Sequence, residues 1–457
     1  MVRPANPAIF REYDIRGVAE RDFDDAFART LGQAYGTMAR EAGKRVVAVG
    51  RDCRLTSPSY ASALADGLVS TGLEVVDIGT CPTPLMYFSL FHFDLDGGIQ
   101  VTGSHNPPDF NGFKICLDKS TIYGEQIQEL RERIARGGFA AGRGRRTARE
   151  IIAPYQDHVA GQFGRLPRNL TVIVDAGNST AGPVAPPLFE RLGCTVTRLF
   201  CDMDGRFPNH HPDPTVVENM QHLIEAMRTH QADVGIAFDG DADRIGVVDR
   251  SGRIIWGDEM LVLFARDVLA RHPGAVIVSE VKCSQRLYDD IAARGGRGIM
   301  WKAGHSLLKA KMKETGALLG GEMSGHMFFA DRYFGYDDAI YAGCRLLEIV
   351  AREGRSVDEL LADLPVAFTT PEIRVDCPED KKFQVAERAR EYFRARHEII
   401  DVDGVRVRFP HGWGLIRASN TQPVLVLRFE ARSQAELQEY RRVVEDAVAT
   451  IRRELGA

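Results

Sequence analysis

Short apolar, β-branched runs recur along the chain, separated by stretches of helical period. Arg45-Val46-Val47-Ala48-Val49-Gly50, Leu170-Thr171-Val172-Ile173-Val174-Asp175 and Ala275-Val276-Ile277-Val278-Ser279 each have the length of a strand and few polar side chains. Such runs suit parallel strands covered on both faces. Residues 57–73 read as one of the intervening amphipathic helices. Strand and helix in alternation predict α/β domains. The C-terminal part has another texture. Residues 414–417 and 424–429 read as strands around a polar loop. A final helix opens at Ser433 in a capping box with Glu436. Leu437, Tyr440, Val444, Ala447, Ile451 and Leu455 recur at helical spacing and predict its core-facing stripe.

At 457 residues the chain is too long for one core. Roughly 100–200 residues per domain predicts three or four. Residues 135–149 are rich in Gly, Ala and Arg and read as a boundary or exposed connection. Asp249-Arg250-Ser251-Gly252 is a turn inside an apparent hairpin, close to a second boundary. A third falls near Leu364-Pro365, after a short helix capped by Ser356 with Glu359. The expected domains are 1–150, 151–251, 252–365 and 366–457. The first three each hold an apolar strand that runs into a polar loop containing glycine. Ligands of open α/β sheets bind beyond the carboxyl ends of strands, so three such loops can face one cleft.

A formal net charge of -5 gives no support to nucleic acid as the main partner. The 8 cysteines form no C-x-x-C pair, which argues against a zinc site or disulfide framework and fits a reducing cytoplasm. The first residues lack the apolar centre of a signal peptide, and no apolar run approaches the ~20 residues that span a bilayer. A cytoplasmic chain without membrane contact is expected.

Four polar loops carry the candidate chemistry. Val101-Thr102-Gly103-Ser104-His105-Asn106-Pro107-Pro108, with Asn111-Gly112-Phe113-Lys114 after it, presents a serine at a strand end. The prolines forbid helix there, and Gly103 allows a ligand to approach the backbone closely. A serine hydroxyl needs a base or cation to become a nucleophile. Taken alone, the loop is equally a turn whose hydroxyl bonds its own backbone. Phe238-Asp239-Gly240-Asp241-Ala242-Asp243-Arg244 crowds three carboxylates at alternate positions, a conflict that a hard divalent cation resolves. Gly240 is expected to permit the sharp turn. A calcium hand would need a longer ligand series ending in Glu, which is missing here. Gly320-Gly321-Glu322-Met323-Ser324-Gly325-His326 puts Glu322 and Ser324 on one side of an extended loop, where they suit sugar hydroxyls. Arg417-Ala418-Ser419-Asn420-Thr421-Gln422-Pro423 combines a guanidinium with hydroxyl and amide groups and suits a phosphate dianion.

In this order the four loops resemble those of the α-D-phosphohexomutase superfamily. Phe10-Arg11-Glu12-Tyr13-Asp14-Ile15-Arg16-Gly17, Val281-Lys282-Cys283-Ser284 and Lys302-Ala303-Gly304-His305-Ser306 are similar to further signatures of that family. Met323 resembles the phosphomannomutase/phosphoglucomutase branch, since the phosphoglucosamine branch usually has Gln there. Two positions depart from the family: Ala242 stands where Gly is usual, and Ala303 where Thr is common.

The resemblance implies three related α/β domains with mixed sheets and a smaller α+β C-terminal domain around a central cleft. It implies that Ser104 carries a phosphoryl group, with Mg²⁺ on Asp239, Asp241, Asp243 and the group on Ser104. Lys114 and Arg244 would supply positive charge. His105, Lys114, His305 and His326 are the acid/base candidates, which sequence does not rank. Tyr13, Arg16, Lys282, Glu322 and Ser324 would contact the sugar. Arg417, Ser419, Asn420 and Thr421 would hold the idle phosphate, carried on a movable fourth domain. The implied activity moves a phosphoryl group between O6 and O1 of mannose or glucose phosphates. A hexose 1,6-bisphosphate serves as intermediate and activator, and the protein would be a monomer. The alternatives are a phosphoglucosamine mutase, a phosphatase using the same serine, and a non-catalytic sugar-phosphate binding or scaffold relative. The last should have lost Ser104, a metal carboxylate or Glu322, and all are present.

Overall fold

The computed structural model describes residues 6–419 and 423–457. The chain folds into two compact units, Met1–Asp267 with Ser324–Leu361, and Val268–Met323 with Ala362–Ala457.

In the first unit, the first sheet runs in the order Ile15–Val18, Phe110–Leu117, Gly97–Val101, Val46–Arg51, Glu74–Thr80, Arg145–Ala148. The last four are parallel, and Phe110–Leu117 is antiparallel to both its neighbours. Gly97–Val101 is buried at every position, as an apolar central strand must be. Residues 135–149, expected as a boundary or exposed connection, also contain the edge strand Arg145–Ala148. All four of its side chains are exposed, which is why its composition reads as a linker. The helix expected over 57–73 spans Ser57–Ser70, stopping before Gly72 at φ +96°.

The second sheet orders Ile254–Ile255, Ile245–Val248, Val234–Phe238, Thr171–Asp175, Thr195–Leu199. Val234–Phe238 lies parallel to Thr171–Asp175 and antiparallel to Ile245–Val248. The turn expected at 249–252 closes the next hairpin, with Asp249 Oδ1 accepting from the N–H groups of Ser251 and Arg253, each at 2.9 Å.

In the second unit, Val276–Glu280 pairs in parallel with Arg297–Trp301 and Leu319–Gly321. The C-terminal sheet is antiparallel, with Val405–Phe409, Gly412–Ala418 and Val424–Ala431 as its centre. Helices Lys382–Arg394 and Gln434–Leu455 pack on it. The expected stripe is core: Leu437, Tyr440, Val444, Ala447 and Ile451 are buried, and Leu455 packs partly buried beside them. The mixed α/β sheets and the smaller C-terminal domain are those that the family resemblance implies. Among the described residues, no helix is long and apolar enough to cross a membrane.

Ser433 caps the last helix as expected, its Oγ accepting from the Glu436 N–H at 3.2 Å while donating to Glu436 Oε2 at 2.9 Å. Ser433→Ala is expected to destabilise this helix by about 1 kcal/mol. Faster amide hydrogen exchange in its first turn is the measurement, and unchanged exchange would contradict the capping role.

Candidate active site

The serine loop leaves the carboxyl end of Gly97–Val101 and returns as Phe110–Leu117. Ser104 is buried and has φ +49°, a left-handed conformation uncommon for a residue with a side chain. Its Oγ donates to Asp239 Oδ2 at 3.0 Å, and Nδ1 of His105 lies 3.1 Å from the same Oγ. The Ser104 N–H donates to Thr102 Oγ1 at 2.9 Å, and that hydroxyl donates to Asp52 Oδ2 at 2.8 Å. The Ser104 carbonyl accepts from Arg54 Nη2 at 2.7 Å. A Cβ on Gly103 would lie 2.5 Å from the Arg54 guanidinium, so the glycine makes room for that side chain.

The acidic loop is the turn of the hairpin in which Phe238 stands opposite Ile245. Asp239, Asp241 and Asp243 are all fully buried. Lys114, opposite Gln100 in the first sheet, reaches them: Nζ donates to Asp241 Oδ2 at 2.7 Å and also to Asp243 Oδ2. Burial opposes the lysine's charge, but Asp241, Asp243 and Asp239 outweigh it and hold its pKa above the usual value. Burial, with the charges of Asp241 and Asp243, pushes Asp239 well up. Burial also works on Asp241, but Lys114 and the Thr83 hydroxyl, 2.5 Å away, hold it down. His105 is held well below the usual imidazole value by burial and then by Arg244, Arg16 and Lys114.

The residues fit a divalent cation. Asp241 Oδ1 and Asp243 Oδ1 are buried and accept no hydrogen bond. One ligand atom from each of the three aspartates lies within 4.8 Å of the others. Hard carboxylate oxygens left over after Lys114 has taken its share suit Mg²⁺. The turn is made differently from the expectation. Gly240 has no positive φ, and its hydrogen side permits contact with the Ser104 carbonyl, which a Cβ would strike. The left-handed residue is Ala242, at φ +56°.

Arg244 Nε donates to His326 Nε2 at 3.0 Å, which puts the ring proton on Nδ1. That nitrogen lies 3.1 Å from Asp337 Oδ2 and 3.6 Å from Asp243 Oδ1. Arg16 donates to Asn106 Oδ1 at 2.6 Å and to Asp14 Oδ2 at 2.5 Å, and so joins the serine loop; Tyr13 beside it is half-buried. Ser324, half-buried, opens the second segment of this unit.

The remaining candidates belong to the second unit. Glu322 Oε1 accepts from the Gly304 N–H at 2.6 Å, tying its own loop to the turn that presents His305. Lys282 lies 3.1 Å from Glu372 and 3.4 Å from Glu280. Arg417 Nε donates to Asp403 Oδ2 at 3.0 Å, and the same oxygen accepts from the Ala303 N–H at 3.1 Å. The backbone at Ala303 thus supplies a contact although the hydroxyl is missing. The Ser419 N–H donates to the Val424 carbonyl at 3.0 Å, while Asn420 and Thr421 lie outside the described residues. The sequence reading missed Asp52, Arg54, Glu280, Asp337 and Asp403. Asp52 and Arg54 had a signal, since they directly follow the strand Val46–Arg51, at a carboxyl end where sites form.

Strand ends that feed a buried serine and an acidic hairpin loop define a multidomain α/β protein able to hold a divalent cation beside that serine. Family models described as phosphoglucomutase/phosphomannomutase match the chain throughout: α/β/α domain I over residues 7–141, domain II over 153–252, domain III over 256–368 and the C-terminal domain over 372–447. The chain belongs to the phosphoglucomutase/phosphomannomutase family, within the α-D-phosphohexomutase superfamily. It is 47% identical over 450 residues to a phosphomannomutase/phosphoglucomutase of Pseudomonas aeruginosa, covering 98% of this chain and 97% of that one. It is 46% identical over 435 residues to a phosphoglucomutase of Neisseria gonorrhoeae, covering 94% of each. The crystal structure of a phosphoglucomutase/phosphomannomutase family protein from Burkholderia thailandensis superposes with a TM-score of 0.93 at 45% identity, covering 98% of each chain.

Ala242→Gly is expected to raise stability by about 1 kcal/mol, because a side chain in the left-handed region is strained. An unchanged or lower melting temperature would contradict this. Glu280 supplies a pH dependence. Burial, reinforced by Glu322 and opposed by Lys282, raises its carboxyl from 4.5 to about 7. The folded state therefore holds this proton more tightly, and that stabilisation is lost as pH rises through about 7. Glu280→Gln is expected to remove a fall on the order of 3 kcal/mol between about pH 4.5 and about pH 7. Melting curves of both proteins across that range check it.

Proposed function

We propose that this protein is a magnesium-dependent phosphomannomutase/phosphoglucomutase, an isomerase that moves a phosphoryl group between O6 and O1 of a hexose phosphate. The observation that carries this reading is the Ser104 hydroxyl, bonded to Asp239 where three buried carboxylates meet. In the resting enzyme Ser104 Oγ carries the phosphoryl group. A hydroxyl of mannose or glucose phosphate attacks its phosphorus, the bond to Ser104 Oγ breaks, and the sugar hydroxyl's proton passes to a base. Lys114, His105 and His305 are the candidates for taking that proton and for protonating Ser104 Oγ as it leaves, whereas the basic Nε2 of His326 is engaged by Arg244. The resulting hexose 1,6-bisphosphate turns over and returns its other phosphoryl group to Ser104 Oγ, which closes the cycle.

Asp239, Asp241 and Asp243, with the group on Ser104, would hold Mg²⁺, which would neutralise charge on the transferring phosphoryl group. The rest falls to the protein, because phosphoryl transfer depends mainly on positioning and electrostatics. Lys114 and Arg244 add fixed positive charge. The pairing of His326 with Asp337 and Arg244 supports a role for this histidine in aiming Arg244. Glu322, Ser324, Tyr13, Arg16 and Lys282 hold the sugar. Arg417, Ser419, Asn420 and Thr421 hold the phosphate that is not reacting. We read the protein as a cytoplasmic monomer that acts on small sugar phosphates and not on nucleic acid.

Intact mass spectrometry of the purified protein is expected to reveal one phosphoryl group on Ser104. Ser104→Ala should lose it, and turnover should fall by at least about 10³-fold. Isomerase assays with mannose, glucose and glucosamine 1-phosphates, each with a trace of bisphosphate, test the substrate class. Full turnover by Ser104→Ala, or dominant activity on the glucosamine substrate, would overturn the reading.

A further inference from the structure

Arg54 is fully buried, and each of its five N–H groups is used inside the first unit. Nε donates to Asp52 Oδ2 at 3.1 Å. Nη1 donates to the carbonyls of Pro107 at 2.5 Å and Phe110 at 2.9 Å. Nη2 donates to the carbonyls of Ser104 at 2.7 Å and Asn106 at 2.6 Å. The segment from 104 to 110 therefore wraps its backbone around one guanidinium. No other side chain offers five donors in a fixed plane, and lysine offers three from a single point. Phe207 covers the guanidinium, its ring centre 5.2 Å from Cζ.

Asp52 completes the arrangement from beneath. Besides Arg54 Nε, it accepts from the Gly103 N–H at 3.1 Å, the Thr102 hydroxyl at 2.8 Å and the Ser57 hydroxyl at 2.5 Å. Through Thr102 Oγ1 it also governs the N–H of Ser104. Both ends of residue 104 are thus fixed by groups reached from the Asp52–Arg54 pair, and the residue so fixed has φ +49°. A non-glycine residue stays in that region only where its surroundings impose it.

We infer that Arg54, backed by Asp52, is the positioning residue for Ser104: its clamp on four loop carbonyls holds Ser104 left-handed and aims Oγ at Asp239. Arg54 touches no reacting atom and acts only through the loop. The kinetic part of this inference rests on Ser104 being the phosphoryl carrier, and the stability part does not.

The test uses full-length protein and two readouts. In the first, Arg54→Lys and Arg54→Met should lower kcat by about 10- to 100-fold with KM for hexose phosphate within about twofold, since misplacing a reacting group by about 1 Å has effects of that size. Lysine should fail to rescue, because charge without the planar fork cannot hold four carbonyls. The second readout needs no turnover. Ser104→Gly and Ser104→Ala both lack the hydroxyl and differ in their tolerance of positive φ. With Arg54 in place, the glycine variant should melt about 2 °C or more above the alanine variant. In the Arg54→Lys background the loop can relax, and that difference should vanish. Thr102→Val, which leaves Arg54 intact and removes the acceptor for the Ser104 N–H, should shrink the same difference if Arg54→Lys does not fold. An equal glycine advantage in every background overturns the clamp. So does full kcat in Arg54→Lys. Full turnover by Ser104→Ala would instead overturn the carrier role and leave the melting comparison standing.

Discussion

Three aspartates stripped of water cannot all remain charged at close range without cations among them. Asp239, Asp241 and Asp243 are in that position, and Lys114 is the fixed charge that keeps them together. A single ammonium does not meet the need of all three. It leaves one oxygen on each of Asp241 and Asp243 with no hydrogen bond, and unmet buried acceptors of this kind are expensive unless a cation joins them. The surrounding structure serves this conflict. The hairpin supplies the carboxylates, the first sheet delivers Lys114 from the neighbouring domain, and Ser104 donates to Asp239 at the edge of the cluster.

The second unit applies a different device, in which arginines hold backbone. Arg406 is fully buried and donates to the carbonyls of Val281 at 2.7 Å and Cys283 at 2.8 Å, while Arg428 donates to that of Lys282. Both arginines lie on strands of the C-terminal sheet, so that sheet fixes the turn carrying Lys282. Asp403 links Arg417 to the turn before His305. Arg54 in the first unit follows the same logic. A planar guanidinium satisfies several buried carbonyls at once, which a loop without ladder partners requires.

Much of the fold was legible because it rests on local pattern. The apolar runs at 45–50, 170–175 and 275–279 became strands within a residue or so at each end, and the Ser433 cap lies where its spacing put it. The edge strand Arg145–Ala148 was hidden because exposed side chains carry no burial pattern to read. Glycine meaning was also hidden. At Gly103 and Gly240 the missing Cβ accommodates Arg54 and the Ser104 carbonyl, and the strained φ falls on Ala242. A sequence reports that a side chain is absent but not which neighbour needs the space.

The sequence by itself determined the order of chemistry along the chain: a serine loop, an acidic loop, a sugar-type loop and a phosphate-type loop, each at the end of a predicted strand. These signals are short, and residue type and spacing carry them. Only the tertiary structure decided which groups act on which. Arg54 meets Ser104 across 50 residues, Lys114 meets Asp243 across 129, and His326 meets Arg244 across 82. Separations of that size leave no periodicity to read, because strand register and packing set them. The left-handed Ser104 arises in the same way, from partners elsewhere in the chain rather than from a local preference for positive φ.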